Sequence, residues 1–357
     1  MPSPIAQQLL EWYARRRRSL PWRDHPDPYA VLVAEVMAQQ TRLETVLPYF
    51  QRWMARFPTV EALARAEDQE VLALWEGLGY YRRARHLHRA AREIVARHDG
   101  HVPADPRDLM ALPGIGPYTA AAVASIAFGR DVPVVDGNVL RVFARLFAVE
   151  APVDTAAGRR TIERLAAEHL PPGQASAYNQ ALMDLGAQIC TPRQPQCARC
   201  PLRDLCRAYA QGEPTAYPRR KPKRPTPHYT VTAAVIRRDG QVLLAQRPAE
   251  GLLGNLWEFP GGKVEPGESL EEALVREIHE ELAATVQVEA PFGVYRHAYS
   301  HFKVTLHAFL CRLVAGEPRP VEAQTVRWVP LAALDEFPMG KIDRRIARRL
   351  QKEAARS

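Results

Sequence analysis

Four of the five cysteines lie in one short stretch, and no other feature constrains the fold as strongly. They are Cys190, Cys197, Cys200 and Cys206, with the spacing C-x6-C-x2-C-x5-C. Four thiolates this close together can bind one metal centre, either a tetrahedral zinc ion or a cubane [4Fe–4S] cluster. Ligand type alone does not choose between the two. The spacing suggests a metal site rather than a disulfide framework.

The length of 357 residues fits two or three domains. The fifth cysteine, Cys311, lies in an apolar segment that predicts a strand, and we expect its thiol to be part of the core. The chain has no run of about 18 uncharged apolar residues and no apolar stretch near its start typical of a secretory signal. We therefore expect a cytoplasmic protein that does not contact a membrane.

Positive charge is concentrated in the first two thirds of the chain. The 48 Lys and Arg exceed the 40 Asp and Glu by 8, and residues 228–357 contain equal numbers of both. The surplus therefore lies before residue 228 and favours a polyanionic partner such as nucleic acid. A basic but merely solvated surface remains the alternative at this point.

Periodicity divides the chain into a helical and a strand-rich part. Residues 5–210 repeat apolar positions at helical spacing, whereas Pro214–Pro227 contains five prolines and predicts an extended, semi-rigid linker. The linker carries a basic cluster of Arg219, Arg220, Lys221, Lys223 and Arg224. Beyond it we predict strands at Thr230–Ile236, Val242–Ala245, Val304–Leu313 and Thr325–Val329, and helices at Ser269–Leu282 and Arg344–Arg356. Asp239-Gly240 predicts a hairpin between the first two strands.

Three features of the helical part, a glycine-rich turn and two carboxyl groups, are candidates for a functional role. Leu112–Ala120 joins two helices through a turn in which Gly114 and Gly116 allow a close approach of the backbone to phosphate. Asp136 precedes Gly-Asn at the start of a helix, where it could simply be an N-cap worth about 1 kcal/mol. Glu35 lies inside an apolar stretch, which is costly unless the carboxyl is paired or functional. Its alternative is a position at the rim that faces solvent.

The motifs together resemble the endonuclease III and MutY family of DNA glycosylases. The cysteine spacing follows a helical segment, Asn179–Gly186, and Leu112–Ala120 resembles the helix-hairpin-helix that docks DNA without reading sequence. Three further segments, Leu20–Arg23, Glu35–Arg42 and Gly77–Arg82, resemble the MutY adenine glycosylases in particular. The resemblance implies a multidomain protein, in which an all-α helix-hairpin-helix glycosylase core with a [4Fe–4S] loop precedes an α+β Nudix-like domain.

The resemblance also implies domain boundaries. A helical glycosylase region would occupy residues 1–213, with a six-helix barrel module at about 29–137 and a cluster module formed by about 1–28 and 138–213. The linker would be 214–228, and the Nudix-like domain 229–357.

The same resemblance implies the catalytic chemistry. Glu35, kept protonated, would donate to adenine N7, while ionised Asp136 would face the sugar C1′ and stabilise an oxocarbenium ion. Tyr118 and Asn138 would position these groups. Tyr118 also stands where lyase-competent relatives carry a lysine, so no Schiff base forms there and a monofunctional glycosylase with little or no lyase activity is implied.

Adenine must leave the stack to be reached, and the resemblance implies which residues contact the base or the duplex. They are Trp22, Arg23, Gln40, Thr41, Leu78, Tyr80, Gly114, Gly116 and Gln180. Gln40 and Tyr80 would wedge into the duplex, and Gln180 would read the base edge. The alternatives are that Trp22 and Tyr80 are core aromatics and that Gln40 is a surface amide.

Residues 229–349 resemble a Nudix fold, which MutY enzymes use to recognise 8-oxoguanine opposite adenine. The Nudix hydrolase signature is nearly complete, and Glu277, Glu280 and Glu281 share one helix face that could hold Mg²⁺. Ala283 replaces the glycine expected at the end of this helix, where it could strain the turn. Tyr299, Ser300 and His301 resemble the loop that probes the lesion strand, although a strand-entry turn is the simpler alternative for Ser300 and His301.

The leading interpretation is a monomeric glycosylase that excises adenine opposite 8-oxoguanine or guanine in duplex DNA. A Nudix pyrophosphatase acting on oxidised nucleotides, fused to a DNA-targeting helical module, is the alternative. A DNA-binding protein with a structural cluster and no turnover is the third. Glu35 and Asp136 argue against the third, whereas Ala283 and the neutral C-terminal part argue mildly against the second.

Overall fold

The computed structural model describes residues 3–24, 26–222 and 225–355, which divide into two compact units. The helical unit contains the described residues up to Arg65 and those from His86 to 222. The sheet unit contains Ala66–Arg85 and the described residues from 225 onward. The units therefore do not follow chain order, because twenty residues of the N-terminal half pack with the C-terminal part.

Helices make up most of residues 5–210, as the periodicity predicts. They are α1 Pro4–Arg16, α2 Pro21–Asp24, α3 Pro28–Ala38, α4 Leu43–Arg56, α5 Val60–Ala64, α6 Asp68–Trp75, α7 Arg82–Arg97, α8 Pro106–Ala111, α9 Pro117–Phe128, α10 Gly137–Leu146, α11 Ala156–Glu168, α12 Ala175–Gln188 and α13 Arg207–Ala210. Side-chain caps begin several of them; Asp27, for example, accepts from the Ala30 amide ahead of α3. Among the described residues, no helix has the length and apolar character needed to cross a membrane.

Within the helical unit, α9 and α12 have apolar faces that bring the polar motifs together. Helix α9 packs against α3 and α8, and α12 packs against α1, α9 and α10. The turn between α8 and α9 contains Gly114 at φ +75°, and a Cβ there would lie 2.4 Å from His86. Glycine at this position is therefore required both by conformation and by space.

The sheet unit is built on a mixed six-stranded sheet with the order β3-β2-β1-β5-β4, in which β6 also pairs with β2. The strands are β1 His228–Arg238, β2 Gln241–Gln246, β3 Trp257–Glu258, β4 Thr285–Ala298, β5 Lys303–Ala315 and β6 Thr325–Pro330. β1 and β5 are parallel, and the other pairs are antiparallel. Asp239 and Gly240 both have positive φ, as a type I′ hairpin turn requires.

Two helices cover the two faces of this sheet. α14 (Leu270–Leu282) buries Leu274, Ile278 and Leu282 on one face, and α15 (Lys341–Ala354) packs on the other. Ser269 forms a capping box with Glu272, which begins α14 where the sequence predicts. Helix α15 begins three residues before the predicted start, and the predicted end at Arg356 lies outside the described residues.

The longest strand, β4, is absent from the sequence prediction. Its register shifts at three places, one of them between Pro291 and Gly293, so the alternation of apolar and polar residues is broken. At the end of α14, Ala283 adopts φ +50°, the strained left-handed conformation expected from its replacement of glycine. This conformation costs a residue with a Cβ about 1 kcal/mol.

The first half of the predicted extended, semi-rigid linker makes specific contacts with the helical unit. Tyr217 is buried, and its carbonyl accepts from Arg145 Nε at 3.1 Å. The Val153 amide donates to the Arg219 carbonyl at 3.0 Å, and the Lys221 amide donates to the Asp154 carboxylate. The first half of the linker is therefore bound along the helical unit, while Lys223 and Arg224 of the basic cluster lie outside the described residues.

Candidate functional site

Glu35 and Tyr118 form a hydrogen-bonded pair in the helical unit. Glu35 lies on α3 among apolar side chains, with only 6% of its surface exposed. The Tyr118 hydroxyl, in the first turn of α9, donates to Glu35 Oε2 at 2.6 Å. Burial raises the pKa of Glu35, although the Tyr118 hydrogen bond and the charge of Arg23 oppose this shift. The carboxyl therefore keeps its proton more readily than an exposed one, as a general acid requires.

Asp136 is the N-cap of α10, as the simplest interpretation of its motif predicts. Its Oδ1 accepts from the Asn138 and Val139 amides at 2.8 and 2.7 Å, and its Oδ2 accepts from Asn138 Nδ2 at 2.7 Å. Burial raises the pKa of Asp136, and these hydrogen bonds oppose that shift. Burial is the largest cause that raises the pKa of Glu35 and of Tyr118, and the nearby charge of Asp136 raises both values further. The structure thus places the two predicted carboxyls within electrostatic reach of each other.

Trp22 and Arg23 are held by internal contacts. Trp22 is 3% exposed and packs edge-on against Phe50 with ring centroids 4.8 Å apart, which matches a core aromatic. Arg23 makes a bidentate ion pair with the fully buried Asp184 at 2.9 and 3.1 Å. Arg18 binds the same carboxylate. Two arginines therefore neutralise one buried acid, and the charge of Arg23 also acts on Glu35.

Gln180 has a free acceptor inside the helical unit. Its Nε2 donates to the Ser176 carbonyl and hydroxyl at 3.1 and 3.2 Å, but its buried Oε1 has no hydrogen-bond partner among the described residues. A buried acceptor without a donor is costly, and a ligand that donates a hydrogen bond would relieve this cost. Gln40 is exposed at φ +56°, and Thr41 is half-buried with its hydroxyl on the Gln39 carbonyl.

The four clustered cysteines line one cavity in the helical unit. Its apolar lining includes Val142, Leu146, Leu185, Ile189 and Leu202. Arg145, 2% exposed, donates to Cys190 Sγ at 3.3 Å and to the Thr191 carbonyl at 2.7 Å. Burial raises the pKa of Cys200 to about 12, so a bound metal must supply the positive charge that deprotonates it. This donor set, four thiols around one cavity, fits an iron–sulfur cluster.

A series of hydrogen bonds connects the cysteine loop with Asp136. Arg141 donates from Nε to the Cys190 carbonyl at 2.7 Å and from Nη2 to Asn138 Oδ1 at 2.9 Å. Asn138 in turn donates to Asp136. Helix α12 approaches this point closely, because a Cβ on Gly186 would lie only 2.5 Å from the Asn138 Cβ.

Sequence reasoning missed several of these supporting residues, namely Arg18, Arg141, Asn179, Asp184 and Gly186. Asn179 binds the Val134 amide at 3.1 Å and the Val132 carbonyl at 2.9 Å, and so holds the segment before Asp136. The one available signal was the pair of polar residues, Asn179 and Asp184, inside an otherwise buried helix. Their partners are distant in sequence, so the motif could not reveal them.

In the sheet unit, the acidic face of α14 is engaged with Arg276. Arg276 donates to Glu268, Glu277 and Glu280 at 2.7, 3.1 and 3.0 Å. Glu281 accepts from the Gly261 amide at 3.2 Å, and burial raises its pKa to about 8. Among the described residues of the sheet unit, no three His, Cys, Asp or Glu side chains are arranged to hold a single metal ion. The three glutamates therefore do not fit a Mg²⁺ site in this arrangement.

The residues of the sheet unit that were predicted to contact DNA differ in exposure. Tyr80 is 46% exposed at φ +50°, and its hydroxyl lies 2.5 Å from Ser300 Oγ. Ser300 and His301 are exposed, whereas Tyr299 is half-buried and stacks on Phe302 at 4.8 Å. Leu78, in contrast, is buried at 6% exposure, so its side chain is not presented to a ligand in this conformation.

Three family models match the chain. The HhH-GPD superfamily of base excision DNA repair proteins matches residues 33–171, the iron–sulfur binding domain of endonuclease III matches 190–206, and the NUDIX domain matches 231–349. The second match decides the question that ligand type left open, in favour of an iron–sulfur cluster over zinc.

Curated relatives match nearly the whole chain. The adenine DNA glycosylases of Rattus norvegicus and Homo sapiens are each 36% identical over 90% of this chain, and the alignments cover 73% and 69% of those proteins. The adenine DNA glycosylase of Mycolicibacterium smegmatis is 44% identical over 62% of this chain and 74% of its own length.

Solved structures agree with the helical fold. A thermostable thymine-DNA glycosylase is 30% identical with a TM-score of 0.54, and covers 58% of this chain and 95% of its own. A non-covalent endonuclease III–DNA complex is 26% identical with a TM-score of 0.51, and covers 59% and 99%. The predicted fold class, an all-α glycosylase core followed by an α+β Nudix-like domain, is confirmed.

Proposed function

The chain belongs to the adenine DNA glycosylase family of base excision repair, and on that premise we propose that it excises adenine mispaired with 8-oxoguanine or guanine in duplex DNA. The observation that carries the proposal is the buried Glu35–Tyr118 pair beside the capped carboxylate of Asp136. Breaking an N-glycosidic bond needs one group to protonate the leaving base and another to stabilise positive charge on the sugar.

In the proposed reaction Glu35 is the acid. Its proton moves to adenine N7, the C1′–N9 electron pair leaves with the base, and the sugar becomes an oxocarbenium ion. The hydrogen bonds from Asn138 and the α10 amides favour the ionised form of Asp136, which stabilises that cation. Water then adds to C1′ and gives up a proton to the Glu35 carboxylate, which restores the acid and leaves an abasic site.

Selectivity for adenine and for the opposite base would come from separate residues. The unpartnered Oε1 of Gln180 can accept from the exocyclic amine of adenine, which guanine lacks at that position. Tyr299, Ser300 and His301 would read 8-oxoguanine, and exposed Tyr80 and Gln40 would enter the duplex.

The site favours a monofunctional glycosylase. Tyr118 supplies a hydroxyl, already donated to Glu35, where a lyase would need an amine for a Schiff base. The cysteine cavity would hold the cluster as [4Fe–4S], bound by Cys190, Cys197, Cys200 and Cys206. With four protein ligands its contribution is structural, shaping the loop beside Asn138 and Arg141. The pyrophosphatase alternative rests on the NUDIX domain match alone, and Arg276 engages Glu277 and Glu280, two of the three glutamates it would need.

Single-turnover base release tests the proposal, on a duplex with adenine opposite 8-oxoguanine followed by alkali to cleave abasic sites. We expect strand cleavage only after alkali. Glu35→Gln and Asp136→Asn should each lower the rate by a factor of at least about 10³, because each removes a group needed in the transition state. Duplex binding should survive in both variants. Near-normal turnover in either variant, or cleavage without alkali, would contradict the proposal.

A further inference from the structure

The segment Ala66–Arg85 is bound to the sheet unit by three sets of contacts. Gln69 accepts from Trp257 Nε1 and donates to the Asn255 carbonyl, both at 3.2 Å. The Tyr81 hydroxyl donates to the Met339 carbonyl at 3.0 Å. At the centre, Glu76 receives Arg344 Nη2 at 2.9 Å, Arg344 Nε, and the Met339 amide at 3.1 Å.

The Glu76–Arg344 ion pair is shielded from water and fully hydrogen-bonded. The two side chains are 20% and 9% exposed. Arg344 also donates to the Leu334 and Phe337 carbonyls, so its orientation on α15 does not depend on Glu76 alone. A bidentate pair of this kind fixes direction as well as distance, which a surface pair does not.

The loop immediately after Glu76 carries Tyr80. Trp75 Nε1 donates to the Gly79 carbonyl at 3.0 Å, and the Gly77 amide donates to the Tyr81 hydroxyl at 3.2 Å. These bonds make the loop a single braced turn, anchored at one end by Glu76 and at the other by Tyr81. Within this arrangement the Tyr80 hydroxyl meets Ser300 Oγ.

We propose that Glu76 and Arg344 are positioning residues that hold the Tyr80 loop against Ser300, so that the two side chains meet DNA as one surface. This inference rests on the proposed function for its consequence, because Tyr80 is proposed to enter the duplex and Ser300 to contact the lesion strand. Discrimination between 8-oxoguanine and guanine as the opposite base would then depend on an ion pair that does not itself touch DNA. Small displacements of a positioned group are costly in rate.

Hydrogen exchange of the free protein tests the anchor without any activity. Glu76→Gln keeps the shape of the side chain and removes the charge, so the amides of Gly77–Tyr81 should exchange faster. The matched control is Glu353→Gln, which breaks the exposed Arg349–Glu353 pair on the same helix α15. It should leave exchange in the loop unchanged. Unchanged exchange in Glu76→Gln would overturn the anchor.

Single-turnover base release then tests the coupling. For Glu76→Gln we expect the rate with adenine opposite 8-oxoguanine to fall on the order of tenfold, and the rate opposite guanine to fall less, so the ratio shrinks. A faster-exchanging loop with an unchanged ratio would overturn the coupling. Gln69→Ala removes the Trp257 and Asn255 contacts and should shift the ratio in the same direction. This second variant decides the test if the Glu76→Gln protein is too unstable to assay. A wild-type protein that releases no adenine would refute the proposed function, while the exchange result would still decide the anchor.

Discussion

At the scale of single residues, the Glu35–Tyr118 hydrogen bond opposes the effect of burial. Burial favours the protonated acid, whereas a hydroxyl that donates to a carboxylate favours the charged form. The pair therefore has two effects on one group: the apolar surroundings keep a proton available, and Tyr118 orients the oxygen that carries the charge after transfer. A carboxyl tuned in this way works only below its pKa, so its chemistry should be visible in the pH profile.

Tyr118→Phe should move the alkaline limb of base release to higher pH. The rate that requires protonated Glu35 is complete below the pKa of Glu35 and is lost as pH rises through it. Removing a hydrogen bond that lowers this pKa raises it, by roughly one pH unit for a bond to a charged group. The measurement is the single-turnover rate across pH 5–9.

Tyr178→Phe is the matched control for this prediction. The Tyr178 hydroxyl is buried and has no hydrogen-bond partner among the described residues, so its loss should leave the limb in place. A limb that stays fixed or moves to lower pH in Tyr118→Phe would show that the hydroxyl does not act on Glu35.

At the scale of elements, the contact between α12 and the start of α10 fixes Asp136. The cap alone leaves Asp136 free to move with its helix, but Arg141 ties that helix to the Cys190 carbonyl of the cysteine loop and to the Gly186 carbonyl. The approach requires a glycine, since a Cβ on Gly186 would overlap Asn138. Positioning of the carboxylate is thus a property of two packed helices and a loop.

Gly186→Ala should displace Asn138, and we expect it both to slow base release and to destabilise the fold. Overpacking of this size costs about 1–3 kcal/mol of unfolding free energy, whereas a shifted Asp136 should lower the rate on the order of 10²-fold. Thermal unfolding and single-turnover rates measure the two effects. Gly137→Ala is the comparison, because a Cβ there meets nothing within 4 Å. Equal losses in the two variants would count against close packing as the cause.

At the scale of the whole molecule, the sequence predicts what local motifs encode. The cysteine spacing, the Asp239-Gly240 hairpin and the α14 capping box each depend on residues at most 16 positions apart, and the structure has all of them. The Arg18–Asp184 pair and the placement of Ala66–Arg85 in the sheet unit depend on contacts between residues far apart in the chain. A single sequence shows that such polar residues are present but not which partners satisfy them.

The linker is a second example of contacts between residues far apart in the chain, because Arg145 joins its start to the cysteine loop. Arg145 donates simultaneously to Cys190 Sγ and to the Tyr217 carbonyl, so the residue that lines the cysteine cavity also holds the start of the linker. The carbonyls of Thr191 and Pro192, inside the cysteine loop, take its other donors. A loop that loses its metal loses the constraint that keeps these carbonyls in place.

Cys200→Ser should therefore release the linker as well as the cluster. We expect the variant to lose visible cluster absorption and to be cut faster by trypsin after Arg219 or Arg220, because these backbone bonds are protected only while the segment lies on the helical unit. Cys311→Ala, which changes a cysteine buried in the sheet unit, should retain both the absorption and the protection. Loss of absorption with unchanged cleavage would mean that Tyr217 and Asp154 hold the linker without help from the cysteine loop, and that the cluster supports only the helix bearing Asp136.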